Sequence, residues 1–332
     1  MGVPPQRVMP AMGWASLLLV IATLAGTASE IPPGLGEVAR LASDPAPAKL
    51  TNDTHYLVSN ERRLDLVRED IAGHDGVYVG VGAAQNYVLA GWAAPSFMVL
   101  VDFDQDVVDL HALHLAFLAH ANDGAAFEAL WGEDAEPAVQ RLLAVAAPDP
   151  TRRIRLRALY DRARPEVAAS LAKTRTRFEE LGVHSILDDD TQYGRVATLA
   201  RTGRIVTKRG DFTERGVVAE VARVLEQADA QVGVLYLSNI EQYFMYGRGF
   251  RDNVAGLPMD DETTVLRTLP AKPAGFEYIT QRGDHMQAWV QRKNVRSVYR
   301  IRGMKPGLQR PASTRIEAGP PPPRPLRART PK

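Results

Sequence analysis

At 332 residues, 45% hydrophobic and 24% charged, with a formal net charge of +1, the chain has room for one large α/β domain or two smaller ones. It contains no cysteine, which excludes disulfides, a thiol nucleophile, Cys-ligated zinc, iron–sulfur clusters and a lipoprotein Cys anchor. Residues 302–332 carry eight Lys or Arg against one acid, a net of +7, which leaves about −6 on the remainder. A basic tail on a mildly acidic body does not describe a nucleic-acid-binding domain.

The N-terminus has the parts of an export signal. Arg7 supplies a positive charge, Leu17 to Leu24 an apolar core, and Gly26-Thr27-Ala28-Ser29 a small-residue cleavage zone. Residues 1–29 are therefore expected to direct export to the periplasm or beyond, or, if uncleaved, to anchor the chain in a membrane. Residues 30–55, rich in Pro, Gly and Ala, are expected to be a linker or surface arm. Ser59 or Asn60 should cap an amphipathic helix through Leu64, Val67 and Ile71.

Val77 to Val81 is the first strand expected, with Gly80 and Gly82 at its end. A helix follows Gln85-Asn86, and a second strand, Phe97 to Val101, runs into Asp102. Strand, glycine turn, helix, strand and acid form half of a nucleotide-binding unit, and the twenty residues from Gly82 to Asp102 suit an acid reaching ribose hydroxyls. Asp106 to His120 has a helical period, and helix formers continue to residue 180, with breaks expected near Pro148 to Pro150 and at Pro165. This predicts a helical insertion over about residues 104–200. Asp188 to Asp190 is expected to be a solvated loop and helix cap. A third strand is expected at Arg204 to Thr207 and a helix at Val217 to Gln227. Val232 to Leu237 is a buried strand ending in Ser238-Asn239-Ile240-Glu241. Thr263 to Leu269, Phe276 to Thr280 and Val295 to Ile301 are further strand candidates. Alternation of strand and helix implies a mainly parallel, doubly wound α/β sheet. The domain should span residues 56–305, with a Pro-rich basic tail over 306–332 expected to be disordered.

Ligands of such sheets sit at the carboxyl ends of the strands. That places Gly80, Gly82, Gln85, Asn86, Asp102, Asp211, Ser238, Asn239 and Glu241 at a candidate site. His111 and His114, three apart on a helix, could hold a metal with a carboxylate, but they lack the HExxH arrangement and packing is the expected role, so no metal is expected. Neither a Gly-x-Ser-x-Gly elbow nor a P-loop is present.

Four stretches, VYVGVGAAQNYV, FMVLVDFD, RGDF and YLSNIEQY, resemble an uncharacterised bacterial family described as having an S-adenosylmethionine-dependent methyltransferase-like fold. The resemblance covers about residues 52–270. It implies a class I, Rossmann-like methyltransferase-type sheet of order 3-2-1-4-5-7-6. In it Gly80 and Gly82 match the cofactor loop, Asp102 the ribose acid, Asp211 the adenine-side acid, and Ser238-Asn239 the loop after the fourth strand. Two departures stand out: Ala83-Ala84-Gln85 replaces the usual third small residue, and the helical insertion separates the second and third strands.

The leading expectation is an S-adenosylmethionine-binding, methyltransferase-like protein acting on an unknown small molecule, with Asn239 or Glu241 orienting or deprotonating the acceptor. The export segment favours a second: an exported, non-catalytic ligand-binding protein that reuses the fold. A His/Asp metal enzyme built on His111 and His114 is a third.

Overall fold

The computed structural model describes residues 31–50, 53–271, 275–304, 308–310, 313–316 and 319. The export segment expected over residues 1–29 and the proline run at 320–323 lie outside them. Among the described residues no helix is long and apolar enough to cross a membrane.

A short helix α1 (Glu37–Arg40) and a helix α2 (Arg68–Ile71), entered through a 3-10 turn at Leu64–Val67, precede β1 (Val77–Val81). Then come α3 (Gln85–Ala93) and β2 (Phe97–Asp102). The insertion holds α4 (Gln105–His120), α5 (Gly124–Ala129), α6 (Glu136–Ala146), α7 (Pro150–Leu181) and α8 (Asp190–Arg201). The sheet resumes with β3 (Ile205–Arg209), α9 (Val217–Gln227), β4 (Val232–Tyr236), α10 (Arg248–Gly256), β5 (Thr264–Ala271) and β6 (Gly275–Arg282). It closes with α11 (Gly283–Val290), α12 (Val298–Met304), β7 (Leu308–Arg310) and β8 (Ser313–Ile316).

The strand order is β3-β2-β1-β4-β5-β6-β8-β7. Pairs from β3 through β5 are parallel, β5–β6 is an antiparallel hairpin, β6–β8 is parallel and β7–β8 antiparallel. Both faces of the central strands are covered, so β1 and β2 are buried at every position and read as unbroken apolar runs. Tyr78, Met98, Leu100, Val234 and Tyr236 face a core shared with α3 and the insertion helices. Val77, Val79, Val99, Val101 and Leu235 face the core under α1, α9, α10, α11 and α12.

The order 3-2-1-4-5 and the helical insertion agree with expectation; the far edge does not. An order ending 7-6 needs a strand inserted beside the fifth, whereas here a hairpin links β5 directly to β6 and the edge continues through β8 and β7. Residues 295–301, expected as a strand, form none: 295–297 lead into α12, which begins at Val298, and Val295, Val298 and Ile301, three apart, are all fully buried. Part of the expected disordered tail is ordered as β7 and β8: Ile316 enters the core, and Thr314 donates to buried Glu277. Pro165 does not break α7, since a stripe through Leu156, Tyr160, Ala163, Val167 and Leu171 packs the helix along its length. The expected linker at 30–55 is likewise fastened to the sheet edge. Leu35 and Val38 are buried, and Lys208 Nζ donates to the carbonyls of Ala39 and Leu41.

Candidate ligand-binding cleft

The sheet reverses its winding between β1 and β4, and a small cleft opens there at the carboxyl ends of the strands. Its floor begins with the turn after β1. Gly82 has φ +89°, a conformation that favours glycine. Asn86 holds the turn from beneath: its Nδ2 donates to the carbonyls of Val81, Gly82 and Ala83 at 3.1, 3.2 and 2.9 Å, while Oδ1 accepts from Tyr78 Oη at 2.9 Å. Asn86 is therefore a scaffold residue, and so is Gly80, where a Cβ would stand 2.1 Å from Asn86 Oδ1. Of the four residues expected to bind a cofactor in this turn, Gly82 and Gln85 line the cleft and Gly80 and Asn86 do not.

Asp102 and Asp104 form the second wall. Asp102 Oδ1 accepts from the Asp104 N–H at 2.9 Å, and the nearby Gly82 and Phe103 N–H groups also favour the charged carboxyl. Burial, reinforced by the Asp104 carboxylate, still pushes Asp102 up to about 7. Asp104 caps α4 by accepting from Asp106 N and meets His55 Nδ1 at 2.8 Å. His55 belongs to an arm, residues 54–60, that lies across the cleft and contributes Thr54, Tyr56, Val58, Ser59 and Asn60 to its lining. Tyr56 on the arm and Tyr243 on the loop after β4 both line the cleft; burial raises the Tyr243 pKa, and Tyr56 lies close enough to add to the rise.

The third wall follows β4. Ser238 has φ +48°, rare for a residue with a Cβ. Its Oγ donates at 2.8 Å to Glu61, a buried carboxyl that also accepts from Thr268 Oγ1 at 2.6 Å and from Tyr236 Oη. Burial raises the Glu61 pKa against the pull of those three hydroxyls. Sequence reasoning gave Glu61 no role. Its one local signal was an acid two residues after Ser59, whose Oγ accepts the Glu61 N–H at 3.0 Å. Because Tyr236 Oη gives its proton to Glu61, it accepts from Gln85 Nε2 at 3.4 Å. Gln85 Oε1 is then buried without a partner in the cleft wall. Asn239 lines the cleft, and its side chain makes no hydrogen bond among the described residues.

Two expected site residues lie elsewhere. Glu241 is 1% exposed, accepts from Tyr246 Oη and pairs with fully buried Arg267 at 3.4 Å, so it braces the loop from behind and cannot reach a cleft ligand. Asp211 spends its carboxylate on Thr213 N and Oγ1, both at 2.7 Å. The loop around it is filled by Asp44, which accepts from Val217 N at 2.7 Å and Asp211 N at 3.2 Å. His111 and His114 are core residues: Tyr87 Oη bonds His111 Nδ1, His111 Nε2 bonds the Gly82 carbonyl, and His114 packs against Trp131. Burial lowers both, His111 to about 4. The metal-type cluster among the described residues is a different one, His55, Asp104 and Asp106, with ligand atoms within 4.8 Å of one another. Arg162 pairs with Asp106 there.

The cleft does not fit S-adenosylmethionine. The cavity is about 90 Å³, whereas sites for drug-sized ligands run to about 300–1,000 Å³. The loop after β3, which the resemblance makes the adenine side, is filled by Asp44. A larger groove, about 920 Å³, runs along α7 on the arm's other side and shares Val58, Ser59 and Asn60 with the cleft.

A family model described as "Domain of unknown function (DUF7790)" matches residues 56–310. No curated protein matches the chain.

Proposed function

The chain belongs to the DUF7790 family, and we infer from its cleft that it binds a small polar molecule beneath a closing arm, as a ligand-binding protein that reuses a Rossmann-like frame. One observation carries this reading. The ends of β1, β2 and β4 bring Gly82, Asp102 and Asn239 onto one hollow, where Gln85 Oε1 is buried and unpartnered. A buried polar atom without a partner costs about 1–3 kcal/mol, and a ligand donor removes that cost. The strained Ser238, fixed by Glu61, fits a functional wall better than an idle loop. At about 10–15 Å³ per water-sized group, 90 Å³ suits a ligand of roughly six to nine such groups.

A second reading, a methyltransferase-like protein that takes S-adenosylmethionine once the arm swings aside, is favoured by the convergence of Gly82, Asp102 and Ser238 at the reversal of strand order. A thermal-shift panel on the full chain separates the two. Small amines, polyols and amino acids are run beside S-adenosylmethionine and S-adenosylhomocysteine. The first reading expects a small compound to raise the melting temperature and the nucleosides to leave it unchanged. A shift with the nucleosides alone transfers the assignment to the second, and a flat panel removes both.

A further inference from the structure

We propose that the ligand is a small organic cation, an ammonium compound held by Asp102 and Asp104 against the rings of Tyr56, Phe103 and Tyr243. This rests on the reading that the cleft binds a ligand, and it names the ligand's charge and class.

Charge is the first argument. Among the described residues that line the cleft, two are carboxylates, and none is Lys, Arg or His. A third carboxyl, Glu61, sits directly behind the wall. Asp104 has His55 at its outer edge. Asp102, 9% exposed, has only backbone N–H donors and no cationic side chain. A buried carboxylate without a counter-charge is disfavoured. A cation entering the cleft supplies one and favours the charged form of Asp102, while phosphates and carboxylates meet two acidic groups and no lining cation.

Hydrogen-bonding capacity is the second. Gln85 lines the cleft and is 8% exposed, and its Oε1 is a buried acceptor without a donor. With Asp102 and Asp104, the capacity on offer is acceptor capacity, so the matching ligand brings positive charge and at least one N–H or O–H donor.

The aromatic rim is the third. Tyr56 and Tyr243, 43% and 47% exposed, both line the cleft and lie close to each other. Phe103 lines the cleft between the two aspartates. Aromatic faces combined with carboxylates are the environment that attracts ammonium groups, quaternary ones included. A neutral polyol would satisfy Gln85 yet leave Asp102 uncompensated and the rings unused. The volume agrees with a compound the size of choline or ethanolamine.

The test is calorimetric titration of the full chain with choline, ethanolamine and putrescine. The controls are 3,3-dimethyl-1-butanol (the uncharged carbon counterpart of choline), glycerol and inorganic phosphate. At least one ammonium compound is expected to bind, its uncharged counterpart at least about tenfold more weakly. Asp102→Asn and Tyr243→Leu should each weaken binding by about fivefold or more. Tyr243 is a surface ring, so Tyr243→Leu reports on binding even if Asp102→Asn disturbs folding. Equal binding of the uncharged counterpart, tighter binding of glycerol, or binding of phosphate overturns the cation and leaves a ligand-binding cleft standing. The proposal also falls if none of the three ammonium compounds binds. In that case the thermal-shift panel decides whether the cleft reading falls with it.

Discussion

Replacing Asp102 by Asn separates the cost of a buried charge from the shape of the cleft. Burial, helped by Asp104, outweighs the N–H donors of Asp104, Gly82 and Phe103 and lifts this carboxyl from 3.8 to about 7. At about 1.4 kcal/mol per tenfold, that corresponds to about 4 kcal/mol. The folded-state value is the raised one. Its contribution is therefore full below the unfolded value near 3.8 and is lost as pH climbs through about 7. Wild type should lose up to about 4 kcal/mol of stability across that window from this group alone, and the Asp102→Asn variant should not. Near pH 4.5 the variant is expected to be less stable by about 1–2 kcal/mol, because an amide cannot accept at both atoms from backbone donors. By about pH 8 the order should reverse. Urea unfolding followed by circular dichroism at four pH values gives the gap directly. A gap that stays constant, or that widens against the variant as pH rises, would refute the reasoning.

Two further perturbations probe the scaffold. Glu61→Ala strands the hydroxyls of Tyr236, Ser238 and Thr268. It should cost about 2–4 kcal/mol in urea unfolding, since each orphaned donor costs about 1–3 and relief of the buried carboxyl offsets part of the sum; Glu61→Gln should cost about half as much. Gly80→Ala puts a Cβ 2.1 Å from Asn86 Oδ1 and should destabilise by about 1–3 kcal/mol. In an Asn86→Ala background the same change should cost at least about 1 kcal/mol less, and additive costs would show that Asn86 is not what excludes a side chain at position 80.

The strands that are buried on both faces were legible because burial leaves a plain mark: VYVGV, FMVLV and VGVLY admit no charged residue. Residues 295–301 misled because three aliphatic positions in so short a segment are too few to fix a period. Pro165 misled for another reason. A proline removes one helical hydrogen bond, and in α7 the packing of its buried stripe outweighs that loss. At the site, Gly82, Asp102 and Ser238-Asn239 could be placed because topology puts strand ends together. Asn86 and Glu241 could not be separated from them, since a polar residue after a strand serves a ligand or the loop's own backbone equally well. Glu61 and Asp44 were not legible. Each acts across the fold on partners more than 150 residues away in sequence, Ser238 for one and Val217 for the other, and no local pattern encodes such a contact.

The central claim is that a small ligand occupies the hollow between the ends of β1, β2 and β4 beneath the arm. Hydrogen exchange on the full chain, with and without the compound that raises its melting temperature most, tests it directly. Backbone amides of residues 54–61, 82–86, 102–104 and 238–240 should gain protection together, while α10 and α11 stay unchanged. Protection confined to the α7 groove, or spread evenly over the molecule, would contradict the assignment.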